Sequence, residues 1–316
     1  MPPFAEPPDQ RVRIIATDLQ FPEGPVWLPD GTVLVVEIRR RTLTRIEPGG
    51  RKTVVAQMGG GPNGAAIGPG GACYVCNNGG FRFAEHEGRW IIVGQADDYA
   101  GGRIERVDLA TGRIERLYDR VGAEPIRGPN DLVFDAHGGF YFTDPGKTRA
   151  RDQDRGCVCY ATADGRSIRQ VIFPISRPNG IGLSPDGKTL YVAETETARL
   201  WSWRIEAPGE LVHVPFPSTR SPHGGTLVYA SPTYQRFDSL AVEASGRVCV
   251  GTLDAGCVTV VDPSSGAAEI VKVPQDTHIT NLCFGGADRR TAFITCSYAG
   301  VLVEAAWPRP GLALAH

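Results

Sequence analysis

Six polar residues each open a similar stretch of this chain. They are Glu23 (EGPVWLPDGTVLVVE), Asn63 (NGAAIGPGGACYVCN), Asn130 (NDLVFDAHGGFYFTD), Asn179 (NGIGLSPDGKTLYVAE), Asp238 (DSLAVEASGRVCVGT) and Asn281 (NLCFGGADRRTAFIT). All six side chains carry oxygen, and hard divalent cations prefer carboxylate and amide oxygens. The two carboxylates match the charge of one divalent ion, and buried without a partner they would be costly. Asn63 and Asn281 are assigned to the framework, which leaves Glu23, Asn130, Asn179 and Asp238 as candidate metal ligands. The competing use for such residues is to cap strand ends through backbone hydrogen bonds. Repetition of the pattern favours convergence on an ion.

Convergence requires elements that bring the six residues together. Each stretch reads as a β-hairpin, with short β-branched or aromatic runs such as Val33-Leu34-Val35-Val36 and Phe140-Tyr141-Phe142 on either side of a turn. The turns are PDG, PGG, HGG, PDG, SGR and ADR. Each leading residue lies seven positions before its turn, so its expected cross-strand partner lies about fourteen positions on. Those partners are Glu37, Asn77, Asp144, Glu194, Thr252 and Thr295, polar again. All six leading residues then sit at one end of their hairpins. Radial packing of the hairpins would place them at one mouth of a central channel while protecting the strand edges.

The hairpins start 40, 67, 49, 59 and 43 residues apart, near the length of propeller blades. The expected fold is therefore all-β, a six-bladed β-propeller with a central metal-binding channel. It forms one domain over residues 1–316, with residues 1–13 as an N-terminal tail. The longest insertion, residues 78–100 with FRFAEHEGRW, follows Asn77 at the polar mouth and reads as a lid. Asn77 itself and His278, just before the sixth hairpin, are candidate substrate contacts. His86 falls in the lid segment and His137 at a turn remote from the mouth.

With a formal net charge of -2 and only one short basic cluster (Arg39, Arg40, Arg41), the chain shows no footprint for nucleic acid. No segment has the apolar length of a membrane span, and the start lacks a secretory pattern. The expectation is a cytoplasmic protein, a monomer or small homo-oligomer acting on a small molecule. Its eight cysteines are then thiols. Cys73 and Cys76 form a CxxC and Cys157 and Cys159 a CxC, but no second pair stands at zinc-site spacing. They read as buried apolar fillers.

Glu23-Gly24-Pro25-Val26-Trp27, Gly128-Pro129-Asn130-Asp131, Arg177-Pro178-Asn179-Gly180, Phe237-Asp238-Ser239 and Cys283-Phe284-Gly285-Gly286 fall in one order along the chain. In that order they resemble the senescence marker protein, gluconolactonase and luciferin-regenerating enzyme family, and Pro178–Thr195 is similar to bacterial gluconolactonase-type members. The resemblance implies a six-bladed propeller with one divalent ion held by Glu23, Asn179 and Asp238. Asn130 would coordinate the ion or contact substrate. Calcium is the expected ion; magnesium, zinc, manganese and iron(II) also suit such sites. The resemblance further implies Asp238 as general base or nucleophile, with Asp131 as a reserve. Regucalcin-like members place a sugar-binding arginine where this chain has Gly128; Arg127, one step earlier, is a candidate substrate contact.

The activity that follows is metal-dependent hydrolysis of a small polar lactone, sugar-derived lactones included. Two alternatives share the ligand set: phosphotriester hydrolysis of the diisopropyl fluorophosphatase type, and a non-catalytic calcium-binding propeller.

Overall fold

The computed structural model describes residues 12–215 and 221–316. Among them the chain is all-β, apart from one short 3-10 turn, and folds as a six-bladed propeller. Blade 1 contains Pro22–Trp27, Val33–Glu37, Thr42–Ile46 and Lys52–Gln57. Blade 2 contains Pro62–Ile67, Cys73–Asn77, Arg103–Val107 and Ile114–Tyr118. Blade 3 contains Leu132–Phe134, Gly139–Asp144, Gly156–Thr162 and Ile168–Ile175. Blade 4 contains Pro178–Leu183, Thr189–Glu194, Arg199–Ala207 and Glu210–Val212, with Thr226–Ala230 also pairing on its third strand. Blade 5 contains Arg236–Val242, Val248–Leu253, Cys257–Val261 and Ala268–Lys272. Blade 6 takes Ile279–Gly285, Thr291–Cys296 and Val301–Ala306 from the end of the chain, and its outer strand, Val12–Ala16, from the beginning.

That closure corrects the expected tail. Val12 and Arg13 pair with Ala305 and Glu304, so the ring is shut by hydrogen bonds between the two ends of the chain. Residues 1–11 lie outside the described residues.

No single core holds the molecule together. Six apolar clusters lie between successive blades, and the side-chain alternation of each strand feeds two of them. Val33 and Val35 pack toward blade 6, whereas Leu34 and Val36 pack toward blade 2. Tyr141 faces blade 4 while Phe140 and Phe142 face blade 2. A strand buried on both faces explains runs with no polar alternation. Core growth by nearest-neighbour packing also explains how a chain of 316 residues stays one unit.

The expected cross-strand register is off by one in four blades. Glu37, Asn77, Glu194 and Thr252 pair with Pro22, Pro62, Pro178 and Phe237, each one position before the leading residue. Only Asn281 faces Thr295 as the spacing predicts. In the four shifted blades the register jumps just past the leading residue, between Glu23 and Val26, Pro62 and Ala65, Pro178 and Ile181, and Phe237 and Leu240. Such a bulge adds a residue, bends the strand and re-aims its side chains. The irregularity falls where the inner strands meet around the axis.

The insertion after Asn77 is a hairpin of its own, Phe81–His86 with Arg89–Gln95. It leaves blade 2 where the second strand turns into the third, so it emerges at the end occupied by the leading residues.

Candidate active site

Each inner strand starts at this end, and its lead-in is pinned by the last residue of the neighbouring strand. Glu37 accepts from Gln20 N (2.8 Å), Asn77 from Gly61 N (2.8 Å), Asp144 from Arg127 N and Gly128 N (2.8 Å each), and Glu194 from Ser176 N (3.1 Å). The same device recurs in four blades, a buried side-chain oxygen accepting from the backbone N–H two or three residues upstream of each leading residue. Asn77 is spent on it. Its Oδ1 also accepts from Gly79 N, and its Nδ2 donates to Gly59 O and Glu105 Oε2. It is fully buried and has no free donor or acceptor for a substrate.

Around the axis the inner strands touch. A Cβ on Gly64 would lie 2.4 Å from Asn130 O, and one on Gly180 would lie 2.6 Å from Leu240 N and 2.7 Å from Asp238 O. Glycine after the leading residue is thus what lets adjacent backbones close the ring. Thr143 Oγ1 donates to Asn179 O (2.6 Å), Ser239 Oγ lies 3.4 Å from Asn179 Oδ1, and Asn281 Nδ2 donates to Glu23 Oε2 (2.8 Å). The expected leading residues are therefore neighbours. Asn281 acts through Glu23, with its own Oδ1 taken by Leu282 N (2.7 Å).

Three carboxylates, Glu23, Asp131 and Asp238, are buried here, and no lysine, arginine or histidine forms an ion pair with any of them among the described residues. Burial pushes Asp238 up to about 7; Asp131 adds to the rise, while the Asn179 amide, Arg236 and Arg177 oppose it. Burial also lifts Asp131 to about 7. Glu23 is raised well above the ordinary carboxylate range by burial, then by Asp238 and Asp131. Such a cluster favours either protons or a cation.

The amide oxygens complete the picture. Asn130 Oδ1 is buried with no hydrogen-bond partner. Asn179 anchors its Nδ2 on Thr195 Oγ1 (3.2 Å), which turns its Oδ1 toward Ser239. Among the described residues, no group of three or more His, Cys, Asp or Glu side chains is arranged to hold a metal by itself. The candidate set is of another kind, two carboxylates completed by amide oxygens. An orphaned amide oxygen beside uncompensated carboxylates fits a hard divalent ion.

The remaining candidates lie around the rim. Arg127 is exposed, and its backbone is the part in use: N to Asp144, and O accepting from Tyr99 Oη (2.6 Å). His278 is buried and stacked on Tyr298 at 3.8 Å between centroids, with Phe21 edge-on. Its Nδ1 stands 3.7 Å from Asp254 Oδ1, beyond hydrogen-bond range, and burial lowers its pKa. Asp254, beside His278 and Arg236, is held down at about 2. His86 ends the first strand of the inserted hairpin, and His137 sits in the blade 3 turn, far along the strands from Asn130. All eight cysteines are free, as expected of apolar fillers.

Spacing gave no sign of Lys147 or of the Arg236–Asp254–His278 group. Lys147 lies in a loop outside the repeat, and the other three are assembled from two blades.

Fold and site define a six-bladed propeller with a polar, acid-lined axial mouth. The chain belongs to the SMP-30/gluconolactonase/LRE-like family, whose model matches residues 21–298. It is 25% identical to the gluconolactonase of Zymomonas mobilis over 93% of this chain and 81% of that protein. It is 34% identical to lactonase drp35 of Staphylococcus haemolyticus over 55% of this chain and 50% of that protein. Among solved structures it resembles the calcium-binding protein regucalcin of Agrobacterium tumefaciens, with a TM-score of 0.71 and 20% identity over 98% of each chain.

Proposed function

We propose that this protein is a divalent-metal-dependent hydrolase that opens a small polar lactone, sugar-derived lactones included. The observation that carries the reading is the axial cluster: Glu23 and Asp238 buried without a cationic partner, beside the unpartnered Oδ1 of Asn130 and the turned Oδ1 of Asn179. The relatives named gluconolactonase and lactonase support the choice of substrate class. Calcium is the ion first to test, because it accepts a flexible set of carboxylate and amide oxygens.

Glu23, Asn130, Asn179 and Asp238 would hold the ion. Bound there, it supplies Lewis acidity toward the lactone carbonyl. Asp238 would accept a proton from the attacking water. The water oxygen bonds to the carbonyl carbon, the ring C–O bond breaks, and the proton passes on to the departing alkoxide. Asn281 fixes Glu23, and Ser239 fixes Asn179. Asp131, equally buried and equally lifted, stands beside Asp238 as the alternative proton acceptor.

The test is proton release from a lactone panel in a pH-stat, with and without chelator, on wild type and Asp238→Asn. The expected result is turnover that chelator abolishes, calcium restores and the variant lacks. Full turnover in chelator would refute the metal role. Turnover of a fluorophosphate ester with none of any lactone would move the reading to phosphotriester hydrolysis.

A further inference from the structure

The inserted hairpin rests on the propeller through side chains alone. Its two strands pair only with each other and join no blade. Phe83 packs on Phe21 at 5.3 Å between centroids, and the Arg39 guanidinium lies 3.5 Å above the Trp90 ring. Both stems carry glycine pairs, Gly79-Gly80 and Gly101-Gly102, and Gly79, Gly80 and Gly101 have φ of 80°, 101° and 97°. These positions can absorb a large backbone rotation. An element with no ladder to its host is also the cheapest part of a fold to lift.

Beneath the stem lies a lysine. Lys147 is 3% exposed. Its Nζ reaches Gly80 O at 3.2 Å and Asn78 Oδ1 at 3.4 Å, and sits 4.2 Å from the Phe81 ring centroid and 5.2 Å from that of Tyr99. Phe81 opens the hairpin, and the other three flank it. No carboxylate forms an ion pair with Nζ among the described residues.

Charged groups face it from each packed element: Asp144 from the blade 3 rim, Asp154 from its own loop, Arg177 from the lead-in to blade 4, and the Tyr99 phenol from the stem. Asp144 is already engaged by three backbone N–H groups, those of Arg127, Gly128 and Gly146. Two long hydrogen bonds and two aromatic faces replace only part of the hydration of an ammonium.

We propose that the hairpin Phe81–Gln95 is a lid hinged on its glycine pairs, and that Lys147 couples its opening to the uptake of one proton. With the lid down, burial draws Lys147 to about 7, with Asp144 and Asp154 opposing and Arg177 assisting. With the lid up, Nζ is hydrated and regains its ordinary value near 10.5. Between those values the open form holds one proton more, so falling pH favours opening. Below about 7 both forms are charged and the dependence ends.

The coupling is read without substrate, so it stands or falls separately from lactone hydrolysis. Hydrogen exchange of residues 81–95 is measured on the full chain from pH 6 to 9.5, corrected for intrinsic exchange rates. Protection of the wild-type hairpin should be flat below about 7, then rise by up to about tenfold per pH unit. Lys147→Met should abolish the slope and exceed wild-type protection at pH 7. Lys147→Arg, charged throughout, should be flat and poorly protected. A flat wild-type profile overturns the proposal, and so does a wild-type slope that survives in either variant. Should the Met variant fail to fold, wild type against Lys147→Arg still decides.

Discussion

Replacing Asp238 by asparagine should stabilise the protein when divalent ions are removed, and by much less when they are present. The gain follows from the raised pKa. An aspartate of ordinary value 3.8 that reaches about 7 in the fold is displaced by roughly three units, each about 1.4 kcal/mol. Because the folded-state value is the higher one, the fold binds the proton more tightly than the unfolded chain does. The penalty is absent below 3.8, grows as pH rises, and is complete above about 7 at roughly 4 kcal/mol.

At pH 8 in chelator, Asp238→Asn removes that penalty and keeps the side-chain shape. For a chain of this size each kcal/mol moves the melting temperature by roughly 1.5 °C, so the variant should melt up to about 6 °C higher. Wild type moved from pH 8 to pH 5.5 should itself gain about 2 kcal/mol from this group. In calcium at about a hundred times its Kd, wild type gains roughly 2.7 kcal/mol from binding, most of which the variant forgoes. Scanning calorimetry on both proteins, in chelator and in calcium, at pH 8 and 5.5, measures all four quantities. A variant that melts lower than wild type in chelator at pH 8 would refute the account of the cluster as uncompensated charge.

Asn281→Ala removes the donor that holds Glu23 Oε2 and should weaken calcium binding by about 10- to 100-fold in titration calorimetry, the range for a residue that orients a ligand. Unchanged affinity would remove Asn281 from the positioning role. His278→Phe keeps a ring against Tyr298 and should leave kcat within severalfold of wild type; a loss of about 100-fold or more would instead make His278 an acid or base in the reaction.

Propeller, blade number and the end of the molecule at which the leading residues gather were all legible, because each follows from a pattern repeated six times. Period-two runs buried on both faces, a turn at fixed distance and an oxygen-bearing residue ahead of it place the hairpins radially without further information. Register was not legible at single-residue precision. The spacing rule assumes an unbroken ladder, and four inner strands bulge just after the leading residue. The bulge depends on how adjacent backbones close around the axis, a contact between residues such as Gly180 and Leu240 that are far apart in sequence.

Asn77 shows the same limit from another side. Its place at the mouth is a property of its own hairpin and was readable. Its use is set by Gly59, Gly61, Gly79 and Glu105, partners contributed by three different segments. Polarity at the right end of a strand therefore locates a side chain without saying whether its hydrogen bonds are spoken for. At this mouth the distinction separates two rings of similar residues. Glu37, Asn77, Asp144 and Glu194, which close second strands, are engaged by backbone N–H groups and neighbouring side chains, while Asn130, which opens an inner strand, keeps a buried Oδ1 without a partner.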